Sequence, residues 1–423
     1  MTFFHALTAL IVLAALGSYV NHRVFHLPPT IGVMTIALVA TVLLVILGEF
    51  GAIDVTRFTR LIPEIDFSEL LFHGFLPFLL FAGALHVDFH DLRQVKWTVG
   101  VLSTVGTLIS TVFVGTAFWY ASWWLGVRIG FIYALLFGAL ISPTDPIAVM
   151  SIIKKAGAPR ELETRITGES LFNDGVGAIV FLTLLSITTA AREPGVFDVT
   201  LLFLQQAVGG ALAGWLAGWI VSRLVASIDN HHVEILLSIA LCMGSYALAE
   251  LGRASGPIAV VVAGLFAGNH GTMKTVSGQT GEYLSMFWEI VDEMMNSVLF
   301  LLIGLEVLSI HQSRTYLIAG IVAVGCVLAG RTVSVAIPLG VIGLRIRFPK
   351  GTTRLLIWGG LRGAISLALA LALALLLPHG PQRELIVTVT YVVVVFSVLT
   401  QGTTFGWLLR KLTSPPEPTI TAP

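Results

Sequence analysis

The sequence predicts an all-α polytopic membrane protein of about thirteen transmembrane helices, built as inverted repeats with two discontinuous helices. Three observations carry this. Of 423 residues, 56% are hydrophobic and only 11% charged, against about 25% charged in a soluble domain. Apolar runs of the length that spans a bilayer, about 20 residues, recur along the whole chain. Two of these runs, seven apart, are broken by proline or glycine near their middles.

The candidate spans are 3–20, 31–49, 68–86, 98–122, 129–152, 166–187, 199–225, 233–251, 256–272, 287–309, 315–343, 353–377 and 385–409. The first lacks a basic leader and reads as a span, not a cleaved signal. Thirteen spans put the termini on opposite sides. With the C-terminus inside, the inner loops and tail hold fifteen Lys and Arg and the outer loops seven, so the basic-residue bias favours N-outside, C-cytoplasmic in a cell membrane. Arg331 and Arg362 are left over, both inside spans. The tail, 412–423, is short and Pro-rich, and no loop is long enough to fold alone, so the function is expected within the membrane domain, 1–411. Lys+Arg and Asp+Glu balance at 24 each, which gives no sign of a nucleic-acid partner. Cys242 and Cys326 lie in apolar runs and read as small hydrophobes, not as a disulfide or a metal site.

The fifth span contains SPTDP, Ser142 to Pro146. Pro143 and Pro146 each remove a backbone donor and disfavour helix in the residue before. A helix should stop near Ser142 and restart at Pro146, capped by Thr144 or Asp145. The twelfth span contains WGGLRGA, Trp358 to Ala364, where three glycines around Arg362 weaken the helix. The sixth span carries GESLFNDGVGAIVF, Gly168 to Phe181, with Glu169, Asn173 and Asp174 inside an apolar run. All three polar interruptions fall at similar depth. Spans 1–6 and 8–13 then form two repeats, and the odd offset of seven inverts the second. This is the layout of transporters whose sites lie at the midplane between broken helices.

Charge at a helix centre costs about 2.5–3.5 kcal/mol on insertion scales. Asp145, Glu169, Asp174, Arg331 and Arg362 must therefore face the interior and pair, or line a wet cavity. Ser170 and Asp174 are four apart and share one helix face; Glu169 and Asn173 share the next. Asp174 lies about 7.5 Å deeper than Glu169. The Asp174 face offers hard oxygens: its carboxylate, the Ser170 hydroxyl, Thr144 and the carbonyls freed by the break. Hard oxygens suit Na⁺, Li⁺ or a proton, and nothing here is soft enough for copper or zinc. Asp145 reads equally as a helix cap or as a ligand. Arg331 reads as a partner for Glu169 or as a donor to freed carbonyls. Glu289, Asp292 and Glu293 open the tenth span at the inner side and read as a solvated helix start, with attraction of cations as the other reading. Glu250 and Glu306, near span ends, read as reaching water, and His73 and His86 as satisfied structural histidines, with pH sensing as the other reading.

SPTDPIAV, GESLFNDGVGAIVF, LFLLIGLE and WGGLRGAISLALAL, in this order and at this spacing, resemble the sodium/proton antiporters of the NhaP/NHE type, within the monovalent cation:proton antiporter superfamily. The resemblance runs from FLPFLLFAGAL (75–85) to the last span. It implies an NhaA/NhaP-like fold whose broken spans 5 and 12 cross in a core domain (98–187 and 315–409), a dimerisation scaffold (3–86 and 233–309), a linker helix (199–225) and a homodimer. It implies no enzyme activity and no cofactor; Na⁺ or Li⁺ and H⁺ are transported. Asp174 is the shared cation and proton carboxylate, Asn173 its neighbour, with Thr144 and Ser170 holding the ion, and Glu169 resembles the acid that pairs with the span-12 arginine, Arg362. One departure stands out. Many relatives read PPLLFEAAL in the third span, and here Ala82 replaces the acid. A K⁺/H⁺ antiporter is the alternative of the same kind. A cation channel, and an intramembrane aspartyl protease with Asp145 and Asp174 as its dyad, are the alternatives of other classes.

Overall fold

A computed structural model describes residues 3–49, 70–156, 158–189, 195–228, 230–271, 278–305, 313–376 and 380–413. Within them lie seventeen α-helices: α1 Phe3–Val20, α2 Pro29–Glu49, α3 Leu76–Leu85, α4 Phe89–Val101, α5 Thr107–Trp124, α6 Phe131–Ile141, α7 Ile147–Ala156, α8 Arg160–Thr189, α9 Val196–Val225, α10 His231–Leu251, α11 Gly256–Phe266, α12 Gly278–Leu305, α13 Arg314–Gly343, α14 Thr352–Gly359, α15 Ala364–Leu376, α16 Pro381–Phe396 and α17 Thr403–Thr413. Four successive pairs, α4/α5, α6/α7, α14/α15 and α16/α17, each correspond to one expected span, which leaves thirteen helical units. Eight helical stretches are long and apolar enough to cross a membrane, and shorter apolar helices occupy Phe72–Leu85, Phe131–Ile141 and Gly256–Asn269.

Two of the four pairs are continuous rods. A π-helical turn at Leu102–Gly106 joins α4 to α5, and another at Ser397–Gly402 joins α16 to α17. The other two pairs are true breaks. After Ile141 the chain is non-helical until Ile147, and after Gly359 until Ala364. These breaks touch: Asp145 and Leu361 form an isolated antiparallel bridge, the Asp145 amide donating to the Leu361 carbonyl at 2.8 Å. The sequence therefore marks both interruptions to within a residue or two.

Some boundaries differ from expectation. The fourth unit begins at Phe89, not 98, because the Asp88 carboxylate caps it by accepting from the His90 amide at 2.6 Å. Polar residues such as Arg93 and Lys96, both exposed, obscured this turn in an apolarity count. The tenth unit, α12, begins at Gly278, not 287. Glu289, Asp292 and Glu293 thus sit midway along a helix of 28 residues and do not open it. Glu306 and the tail after 413 lie outside the described residues.

Packing surrounds the breaks with apolar side chains. Phe137, Ile141, Phe181, Leu356, Leu361, Leu367, Val394 and Phe405 belong to one buried cluster. A second cluster, around Phe81, Cys242, Tyr246 and Trp288, joins α3, α10, α11 and α12. Trp288 lies against Phe81 (ring centroids 4.6 Å) and Phe78 (6.0 Å). The two expected structural histidines have partners: His73 meets Glu250 at 3.1 Å, and His86 meets the Ala82 carbonyl at 2.7 Å.

Candidate cation site at the crossing of two broken helices

A broken helix leaves carbonyls without donors at one stump and amides without acceptors at the other, and the two stumps carry opposite partial charges. At the crossing each stump meets a side chain of the matching kind. Beyond the last residue of α6, the Ser142 and Pro143 carbonyls accept from Arg362 Nη1 at 2.6 and 3.0 Å. At the start of α7, Asp145 Oδ1 accepts from the Ile147 amide at 2.9 Å. In the last turn of α14, the Leu356 carbonyl accepts from Arg331 Nη2 at 2.8 Å. Just before α15, Gly363 abuts the Asp145 carboxylate so closely that a Cβ there would lie 2.7 Å from Cγ. Asp145 thus stands at two positive helix ends, and the two arginines at two negative ones.

This corrects the expected ion pair. Glu169, 2% exposed, is held by Arg331, not Arg362: Arg331 Nη1 donates to Oε1, and Nη2 to Oε2 at 2.9 Å. Arg362, itself buried, spends Nη1 on the α6 stump, and its remaining guanidinium nitrogens have no partner among the described residues. The physical reason is position. Arg331 projects from the long helix α13 onto both α8 and the end of α14, whereas Arg362 lies inside the break and meets the opposite break first.

The oxygen cluster forms where expected. Thr144 Oγ1 lies 2.9 Å from Ser170 Oγ and accepts from Asn173 Nδ2 at 2.8 Å, and the Thr144 amide donates to Asn173 Oδ1 at 3.2 Å. Asn173 therefore grips Thr144 from both sides and orients its hydroxyl toward α8. Thr144, Ser170 and Asn173 are each at most 3% exposed, and Asp174 8%. Among the described residues, no hydrogen bond or ion pair ends on the Asp174 carboxylate. Asp145 is the charge acting on it. Gly177 makes room for the Pro143 ring at the break, where a Cβ would lie 2.5 Å from its Cγ.

Charge counting isolates Asp174. Asp145 and Glu169 carry two negative charges, Arg331 and Arg362 two positive ones, and all four are committed to helix ends or to each other. Asp174 is the carboxylate left over. A carboxylate beside hydroxyl and amide oxygens, with no protein cation assigned to it, is suited to exchange one small hard cation for another.

Two residues escaped the sequence reading. Ser397 and Gln401 lie in the π turn before α17. The Arg362 amide donates to Ser397 Oγ at 2.8 Å, Ser397 donates to Gln401 Oε1 at 2.6 Å, and Gln401 Nε2 donates to the Trp358 carbonyl at 3.2 Å. They hold the second break in place. Gln401 in an apolar span was the available signal. The acid missing at Ala82 leaves a residue 1% exposed in the second apolar cluster.

The family profile described as "Sodium/hydrogen exchanger, transmembrane" matches residues 10–411. The chain belongs to the sodium/hydrogen exchanger family. Among its relatives in that family, the Na(+)/H(+) antiporter NhaP of Pseudomonas aeruginosa is 47% identical over 409 residues, covering 96% of each chain. The Na(+)/H(+) antiporter NhaH of Halobacillus dabanensis is 36% identical, covering 89% of this chain and 91% of that one. In fold, the chain is similar to the sodium proton antiporter MjNhaP1 of Methanocaldococcus jannaschii, with a TM-score of 0.77 at 20% identity, covering 98% of this chain and all of that one. The sequence resemblance and the all-helical, twice-broken architecture of this exchanger-family chain therefore agree.

Proposed function

We propose that the chain exchanges Na⁺ (or Li⁺) for H⁺ across a cell membrane by alternating access, one ion for one proton, with both competing for Asp174. The observation that carries this reading is the uncommitted Asp174 carboxylate beside Thr144, Ser170 and Asn173 at the crossing of two broken helices. The names of the exchanger-family relatives support the choice of ions. In this reading Asp174, Ser170 and Thr144 hold the cation, and the Asp145 and Asn173 contacts shape the site. Helices from 98–187 and 315–409 move as a core against a dimeric scaffold of 3–86 and 233–309, linked by 199–225. The N-terminus is outside and the C-terminus cytoplasmic.

Stoichiometry follows from the charge count. Asp174 loaded with Na⁺ and Asp174 loaded with a proton carry the same net charge, and the other four charges cancel. Both half-cycles then move the same charge, and membrane potential leaves the rate unchanged. The sign of the pH effect follows from competition: exchange slows at low pH, where the proton holds Asp174, and added Na⁺ restores it. Asp145 serves as a helix cap in this arrangement, which argues against an aspartyl dyad.

Purified protein in sealed vesicles tests the reading. Na⁺ or Li⁺ pulses should drive proton release, and K⁺ pulses should not. Proton movement with K⁺ alone selects the K⁺/H⁺ alternative, peptide cleavage the protease, and single-channel current the channel. With the potential clamped by K⁺ and valinomycin, a rate that changes several-fold would overturn one-for-one exchange.

A further inference from the structure

Asn173 and Ser170 hold Thr144 from the side of α8. On its other side the chain leads back through Pro143, whose ring fixes one backbone angle, to Ser142, where α6 ends. Ser142 is held by a third helix, α5, which carries no charged residue. Ser142 Oγ donates to the Gly138 carbonyl at 2.6 Å and lies 3.0 Å from Ser110 Oγ and 3.2 Å from Thr111 Oγ1. All three hydroxyl side chains are buried. The two helices touch backbone to backbone here: a Cβ on Gly138 would lie 2.9 Å from the Gly115 nitrogen, and one on Gly115 2.9 Å from the Ala134 carbonyl oxygen.

The same helix is wedged against α13, which carries Arg331. A Cβ on Gly330 would strike the Val114 side chain, and one on Gly106, in the turn before α5, would lie 3.2 Å from the Ser334 carbonyl oxygen. Ser334 Oγ in turn donates to the Arg331 carbonyl at 3.2 Å. Hydroxyls in apolar helices commonly turn back on the carbonyl one turn earlier, as Thr107 does to Ser103 at 2.8 Å. Ser110 and Thr111 also reach across to another helix. They do so at the residue whose own carbonyl accepts from Arg362 at 2.6 Å and which stands two places before Thr144. Ser142 is therefore a joint, tied by its side chain to α5, by its carbonyl to the second break, and by a stiff proline to Thr144.

We propose that Ser110 and Thr111 are positioning residues that set the ion selectivity of the cation site. By anchoring Ser142 they fix how far the Thr144 hydroxyl stands from the Asp174 face of α8. Oxygens held at set spacings favour one ionic radius, whereas a cage free to relax fits each ion at its own size and separates them less. Ser110 and Thr111 touch no ion and act through Ser142 alone. The inference rests on the exchange proposed above.

The test is proton release in vesicles driven by Na⁺ and, separately, by Li⁺, across a range of each. The proteins are the wild type, Ser110→Ala, the double variant Ser110→Ala/Thr111→Val, Thr111→Ser and Thr107→Val. Thermal stabilisation by the same two ions in detergent gives a readout independent of flux. In the double variant the ratio of half-maximal Li⁺ to half-maximal Na⁺ concentration should change by about threefold to tenfold, the worth of the hydrogen bonds released. The midpoints of thermal stabilisation should show the same change. Ser110→Ala alone should change the ratio by about twofold, and it decides the matter if the double variant does not fold. Thr111→Ser, which keeps the hydroxyl, and Thr107→Val, which removes a buried hydroxyl that bonds the Ser103 carbonyl instead, should both keep the wild-type ratio. An unchanged ratio in the variants that release Ser142, even with a lower melting temperature, overturns the inference and leaves the exchange reading standing. An equal change in Thr107→Val does the same. Absence of Na⁺-driven proton release from the wild type overturns that reading, and this inference with it.

Discussion

The two helix breaks solve the same problem with opposite chemistry. The first is made by Pro143 and Pro146, which have no amide hydrogens, so it leaves carbonyls needing donors. Arg362 supplies them to Ser142 and Pro143. The second is made by Gly359, Gly360 and Gly363, which keep their amides and let other groups come close. There Ser397 accepts from the Arg362 amide, and the spaces beside Gly360 and Gly363 are filled by the Arg331 guanidinium and the Asp145 carboxylate. The proline break turns a hydroxyl, Thr144, toward α8 and so faces the proposed cation site. The glycine break is a clamp that carries charges to its partner. In the proposed exchange, one break binds the ion and the other holds the binder still.

The sharpest way to break this division is at the residue the proline break faces. Asp174→Asn should lower exchange by about a hundredfold or more, because the surplus charge that draws the cation is gone, while the protein still folds and runs as a single species in detergent. Near wild-type flux from this variant would falsify the assignment of Asp174 as carrier. Next come the charges behind the clamp. Glu169→Gln and Arg331→Gln should each destabilise by about 3–5 kcal/mol, since each leaves its partner buried without compensation. The double change should be less than additive. Melting temperatures in one detergent decide it, and a pair of single variants that melt like the wild type would show that Arg331 and Glu169 do not hold each other.

Smaller effects sharpen the contrast. Gly360→Ala places a Cβ against the Arg331 guanidinium, 2.6 Å from Cζ, and should cost about 1–3 kcal/mol of stability through overpacking. An unchanged melting temperature there would mean that the close approach is not required. The smallest and most diagnostic comparison sets Ser397→Ala beside Thr144→Ala. Ser397→Ala removes the acceptor of the Arg362 amide and should lower stability by about 1–3 kcal/mol, with the Na⁺ dependence unmoved. Thr144→Ala should raise the Na⁺ needed for half-maximal exchange, with a smaller change in melting. Should both variants shift Na⁺ dependence alike, the separation of binder from clamp is wrong.

Much of this was legible in the chain itself, because its signals are local. Apolar length sets a span, paired prolines stop a helix, and clustered glycines weaken one. Hence the spans, both breaks and the oxygen-rich face of α8 (Ser170 and Asp174, four residues apart) could be read without coordinates. A polar segment such as Phe89–Lys96 could not, since a cap at Asp88 and an apolar far side made it helical despite its charges. Which arginine meets Glu169 was beyond sequence as well. Both lie in spans, and both have the same chemistry. The choice depends on α13 reaching α8 and the end of α14 together, while Arg362 is carried into the crossing by its own broken helix. Composition and spacing therefore determined which residues must avoid lipid; the tertiary structure decided which of them satisfy one another, because an ion pair is chosen by distance across helices and not by order along them.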